Sequence, residues 1–117
     1  MDCKGEHLLL TLKVDEKIID LEDTKRLKNI LLNAIEESGA TVLESVEHHF
    51  EPQGYSVVVL IAESHASIHT WPEANCLMVD YFTCGEINTK LFKEYIIYNL
   101  KPIKIIEDRV IMRGENK

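Results

Sequence analysis

The run Tyr55-Ser56-Val57-Val58-Val59-Leu60-Ile61-Ala62-Glu63-Ser64-His65-Ala66-Ser67-Ile68-His69-Thr70-Trp71 decides how this chain is read. Val57 to Ala62 is an uninterrupted apolar stretch of strand length, and Ala66 to Trp71 follows as a second extended stretch. The pattern predicts a hairpin of Tyr55–Ala62 with Ala66–Trp71, closed by a short connection that carries Glu63, Ser64 and His65. Such polar groups cost free energy in a small core-forming domain unless each is hydrogen-bonded or at work.

Working outward, Pro72-Glu73-Ala74-Asn75 turns the chain into another strand, Cys76 to Phe82, and Glu51-Pro52-Gln53-Gly54 ends an earlier one, Thr41 to Phe50. His7 to Val14 reads as the first strand. Leu27, Ile30, Leu31, Ala34 and Ile35 repeat at the spacing of one helical face, with Gly39 placed as a C-terminal cap. A second helix carries Leu91, Phe92, Tyr95 and Ile96 and stops before Pro102. Ile103 to Met112 supplies the last strand, and Gly114 to Lys117 is expected to fray.

The order β-α-β-β-β-β-α-β predicts an α+β fold: a two-layer sandwich of a mainly antiparallel sheet with two helices on one face. The other face must meet water or a partner, and Phe50 and Trp71 offer it apolar surface. At 117 residues this is a single domain, 1–117, with no internal repeat. Its 45% hydrophobic content is enough for a core.

A formal charge of −7 argues against nucleic acid, whose phosphates demand a basic footprint, and suits a cationic small molecule better. No apolar run approaches bilayer length, and the chain opens without a signal-peptide pattern, so no membrane association is expected. Three widely spaced cysteines, Cys3, Cys76 and Cys84, form no disulfide framework and suit a reducing cytoplasm. His48, His49, His65, His69, Cys76 and Cys84 show no zinc-type spacing, so no metal site is expected. The chain also lacks a nucleophile elbow and a glycine-rich phosphate loop.

Each chemically interesting residue also has an ordinary reading. Ser64 is by default a turn residue bonded to its own backbone. His69 and Ser56 are ordinary strand side chains, and Phe50 packs in a core. Glu73 is a solvated turn residue, and a free cysteine such as Cys76 or Cys84 is a small buried hydrophobe.

Three runs, Glu63-Ser64-His65, Ile68-His69-Thr70-Trp71-Pro72-Glu73 and Asp80-Tyr81-Phe82-Thr83-Cys84-Gly85, together resemble the small prokaryotic S-adenosylmethionine decarboxylases. The likeness extends from Gly5-Glu6-His7-Leu8 almost to the end. It implies a proenzyme that cleaves itself between Glu63 and Ser64 into 1–63 and 64–117. Ser64 attacks the Glu63 carbonyl to give an ester. Elimination and hydrolysis then leave a pyruvoyl group, derived from Ser64, which forms a Schiff base with the substrate.

The resemblance further implies His69 as the processing histidine, Ser56 as a helper in processing or catalysis, and Cys84 as the proton donor after CO₂ leaves. Glu73 would hold the ribose hydroxyls, Phe50 would stack on adenine, and Trp71 would line the pocket. No cofactor beyond the pyruvoyl group is implied, and the partner would be a second copy, with sheets facing and active sites at the interface. The product would be the aminopropyl donor for spermidine synthesis. Two other readings are a decarboxylase of the same fold acting on arginine or ornithine, and a non-catalytic partner subunit.

Overall fold

The side-chain alternation of strand sequences sorts this chain into two faces, and the computed structural model, which describes residues 3–84 and 86–115, follows it closely. The elements are β1 (Lys4–Lys13), α1 (Thr24–Glu37), β2 (Val42–His49), β3 (Tyr55–Ile61), β4 (Ser64–Trp71), a 3₁₀ turn (Pro72–Ala74), β5 (Cys76–Thr83), α2 (Thr89–Leu100) and β6 (Lys104–Gly114). The strands form one sheet in the order β2-β3-β4-β5-β1-β6, with every neighbouring pair antiparallel. The predicted α+β sandwich is therefore the observed fold.

Leu8, Leu10 and Leu12 of β1, Tyr55, Val57, Val59 and Ile61 of β3, and Leu77, Val79 and Tyr81 of β5 all point to the helical side and are buried. They pack on Leu27, Ile30, Leu31, Ala34 and Ile35 of α1 and on Phe92, Ile96 and Leu100 of α2. Each fully buried Leu or Ile contributes ~1.5–3 kcal/mol relative to exposure. The Asp23 carboxylate caps α1 by accepting from the Arg26 amide, and the helix ends at Ser38 with Gly39 beyond it at φ +92°. Asn88 caps α2 in the same way, accepting from the Leu91 amide.

Two tyrosines tie the layers together. The Ser38 hydroxyl donates to the Ile35 carbonyl at 2.6 Å, so it accepts from the Tyr81 hydroxyl, 2.7 Å away. Burial pushes the Tyr81 phenol above its ordinary pKa. The Tyr55 hydroxyl donates to Glu47 at 2.7 Å, and Lys28 of α1 donates to the same carboxylate at 2.9 Å.

The open face of the sheet is laid out in rows by the strand register. One row runs His48, Ser56, His69, Met78, Thr11, Glu107; the next Val46, Val58, Ser67, Asp80, Leu9, Arg109; the third Glu44, Leu60, His65, Phe82, His7, Ile111. Val46, Val58, Leu60, Met78 and Ile111 are exposed there.

The structure corrects four readings of the sequence. β4 starts at Ser64, two residues before the expected Ala66, because Ile61 pairs with Ser64 and only Ala62 and Glu63 turn the chain. β1 starts at Lys4, drawn out by the pairing of Lys4 and Gly5 with Gly114 and Arg113 of β6. Gly114 does not fray: it pairs with Lys4, and the Glu115 amide donates to the Cys3 carbonyl. Residues 116 and 117 lie outside the described residues, as does Gly85. Cys76 is half-buried on the open face at the edge of the core.

Glu47 yields a pH prediction. The hydrogen bond from Lys28, then that from Tyr55, lowers its pKa from 4.5 to about 2. A carboxylate with a depressed folded-state pKa stabilises the fold above its ordinary pKa, and that support fades as pH falls through the folded value. Glu47→Gln should therefore unfold at lower urea than the parent above pH 4.5, with the gap closing towards pH 2. A gap that does not change with pH would contradict this role.

Candidate active site

The connection between β3 and β4 brings together three unusual features. Glu63 has φ +62°, a left-handed conformation that non-glycine residues avoid. With positive φ at the second turn residue alone, this is neither of the turns that fit the twist of a two-residue hairpin. Next in the chain, Ser64 is 6% exposed, and among the described residues its buried hydroxyl has no hydrogen-bond partner. Leaving such a group unpaired costs ~1–3 kcal/mol. The ordinary reading of Ser64, a turn hydroxyl bonded to its own backbone, thus fails.

The third feature comes from the end of β5. The Cys84 thiol donates to the Glu63 carbonyl oxygen at 2.6 Å. The carbonyl of the Glu63–Ser64 peptide is thereby polarised by a thiol, next in the chain to a serine hydroxyl with no partner among the described residues. A cavity of about 560 Å³ opens beside Cys84, lined by Glu6, Thr83, Cys84, Glu86 and Arg113 among others. That volume falls in the range of small-molecule sites.

The remaining expected residues gather elsewhere. Ser56 and His69 are cross-strand partners, and Ser56 Oγ lies 2.7 Å from His69 Nδ1. The Trp71 ring sits 6.5 Å from that of His69, and Trp71 leads into the 3₁₀ turn that exposes Glu73. Phe50, 49% exposed, follows β2 at the same end of the sheet, its amide donating to the Gly54 carbonyl. Gly54 has φ +112°, a conformation in which a side chain would be strained.

The expected site residues thus fall into two groups. Glu63, Ser64 and Cys84 sit where β4 begins; Phe50, Ser56, His69, Trp71 and Glu73 sit where it ends. Ser64 and His69 are five residues apart on one strand, ~17 Å at ~3.3 Å per residue, and an odd spacing points their side chains to opposite faces. One protomer does not bring them together. Sequence reading also passed over His7 and Asp80, whose side chains meet at 2.7 Å although 73 residues separate them; no local spacing could signal that contact.

A family model described as S-adenosylmethionine decarboxylase matches residues 7–114. The chain is 45% identical over 110 residues to the S-adenosylmethionine decarboxylase proenzyme of Thermodesulfovibrio yellowstonii, covering 92% of this chain and 81% of that protein. It is 45% identical over 114 residues to the proenzyme of a Sulfurihydrogenibium species, covering 94% and 82%. The crystal structure of the adenosylmethionine decarboxylase from Aquifex aeolicus VF5 superposes with a TM-score of 0.85 at 34% identity, over 100% of this chain and 96% of that one.

The backbone at Glu63 can be tested without any assay of activity. In a Ser64→Ala background, Glu63→Gly should stabilise the protein by about 1 kcal/mol, because glycine carries no penalty at positive φ. Denaturant unfolding would measure this; an unchanged or lower stability would show that Glu63 is not strained.

Proposed function

This chain belongs to the S-adenosylmethionine decarboxylase family, and on that premise we propose that it cleaves itself between Glu63 and Ser64 and then decarboxylates S-adenosylmethionine. The observation that carries the reading is the Ser64 hydroxyl, unpartnered among the described residues, beside a left-handed Glu63 whose carbonyl oxygen accepts from Cys84.

Cleavage follows from what these groups can do. The Ser64 hydroxyl attacks the Glu63 carbonyl carbon, and the Cys84 thiol supports the negative charge that develops on the oxygen. The peptide C–N bond breaks as the ester forms, freeing the Ser64 amine. A base then takes the Ser64 α-proton, the Glu63 carboxylate leaves, and hydrolysis of the resulting dehydroalanine releases ammonia. The buried, unengaged hydroxyl fits a residue destined to become a pyruvoyl group, and alanine at this position could not start the sequence. Fragments 1–63 and 64–117 are the products.

His69 is suited to proton transfer, since imidazole can both accept and donate a proton and Ser56 fixes its Nδ1 edge. Its distance from Ser64 within one protomer favours action on the Glu63–Ser64 bond of a second copy, where the Ser64 side chain, which faces the helices in a single protomer, would turn to the open face. A two-fold axis lying between two open faces, and running across the strands, would set the beginning of β4 in one protomer against its end in the partner. The exposed apolar residues of that face would be covered in the same step, which supports a homodimer with composite sites. Phe50, Trp71 and Glu73 would then be offered to the adenosine of a substrate held at the partner's Cys84. Phe50 presents an aromatic face that suits adenine or the sulfonium cation, and Glu73 an acceptor for ribose hydroxyls.

When present, the pyruvoyl group supplies a ketone that binds the substrate amine and takes up the electron pair released with CO₂. Cys84, whose thiol donates to the Glu63 carbonyl, would return a proton to the substrate α-carbon. Arginine or ornithine as substrate, and a non-catalytic role, find no counterpart in the names of the relatives above.

Mixed dimers test the arrangement. Ser64→Ala and His69→Ala chains made separately should stay whole. Made together, they should form hybrids in which the His69→Ala chain is cleaved and CO₂ is released from carboxyl-labelled S-adenosylmethionine. Failure of both chains to cleave in isolated hybrids would exclude action between protomers. Cys84→Ser should still be cleaved, but lose about a hundredfold or more in turnover, as befits removal of a positioned acid. Near-normal turnover would assign protonation to another group.

A further inference from the structure

We propose that His7, His65 and Asp80 form a binding site for a divalent first-row transition metal ion of the zinc type. The three residues stand on the open face of three adjacent strands, β1, β4 and β5. Register places His65 and His7 on either side of Phe82, in one row, with Asp80 in the next row. His7 Nε2 lies 2.7 Å from Asp80 Oδ2, and His65 Nε2 lies 4.0 Å from the same oxygen. All three ligand atoms fall within 4.8 Å of one another, and the residues are half-buried.

The surroundings fix the ligands as metal sites require. The second oxygen of Asp80 accepts from the Ser67 hydroxyl, so the carboxylate is anchored on one side and leaves Oδ2 facing both imidazoles. Phe82 sets the rings, stacking on His65 at 5.6 Å and meeting His7 edge-on at 5.5 Å. Hydrogen bonds of this outer kind orient ligands and raise affinity. Two imidazoles and one carboxylate suit zinc, cobalt or nickel, and leave coordination positions open.

Arg113 Nη1 lies 3.4 Å from His7 Nδ1. A guanidinium only donates, so Nδ1 accepts and the imidazole hydrogen sits on Nε2, pointing at Asp80. An ion takes the place of that hydrogen, which shifts to Nδ1 without changing the charge on His7, while the exposed Arg113 side chain turns away. His65 directly follows Ser64, so the ion would tie the start of β4 to β5 and β1. The HxxxH spacing of His65 and His69 is incidental, since His69 is engaged with Ser56 two rows away.

Calorimetric titration of the purified, assembled protein with Zn²⁺, after stripping with a chelator, should show one ion per chain. Asp80→Asn and His65→Gln should each weaken binding at least about a hundredfold, and Ser67→Ala about tenfold. Arg113→Ala should bind at least as tightly as the parent, and His48→Gln with His49→Gln should leave binding unchanged. A measurement on the unmutated protein avoids any question of folding: in NMR spectra of the histidine rings, His7 and His65 should shift with the first equivalent of Zn²⁺ while His48, His49 and His69 do not. No binding at micromolar Zn²⁺, ring shifts confined to other histidines, or undiminished binding in the Asp80 and His65 variants would each overturn the proposal.

Discussion

Pairing Ile61 with Ser64 leaves two residues, Ala62 and Glu63, to reverse the chain between β3 and β4. That constraint puts Glu63 in the left-handed region and carries Ser64 out of the turn onto a buried strand position, where its hydroxyl finds no partner among the described residues. Together these features cost on the order of a few kcal/mol. They persist because the flanking strands are over-determined: Val57, Val59 and Ile61 on one side and Ala66 and Ile68 on the other are fully buried under the helices. A register slip would turn that whole set towards the open face.

The same alternation underlies the proposal that the site is completed by a second chain. Strand geometry puts Ser64 and His69 at opposite ends of β4 and on opposite faces, so no small rotation of a side chain joins them. In the proposed dimer, what one protomer lacks at the start of β4 its copy would offer at the end. The open face carries both the exposed apolar residues that call for a partner and the polar rows that such a partner would enclose. Stability and composite sites are thus proposed to arise from one interface.

Much of the fold was legible in the chain itself. The apolar spacing of Leu27 to Ile35 named α1 and its buried face, and the apolar run Val57 to Ala62 named β3 but not its two faces, since Val58 and Leu60 prove exposed. Errors came at ends, where local propensity is weak. Ser64 and His65 have little strand preference, yet hairpin pairing of Ser64 with Ile61 and long-range pairing of His65 with Phe82 hold them extended. Gly114 reads as a tail residue until β1 pairs with it. The motif residues around Ser64 and Cys84 could be found by likeness, but their division into two clusters could not, because it depends on strand register. The contact of His7 with Asp80 likewise arises only when β1 inserts between β5 and β6.

The central claim, that the strained connection is the place where the chain breaks, is tested most directly by intact-mass spectrometry of purified, catalytically active protein under denaturing conditions. The account predicts two species: one ending at Glu63 with an ordinary carboxylate, and one beginning at residue 64 that lacks an N-terminal amine and carries the mass of a pyruvoyl group. A single full-length mass from active protein, or cleavage at any other bond, would contradict it.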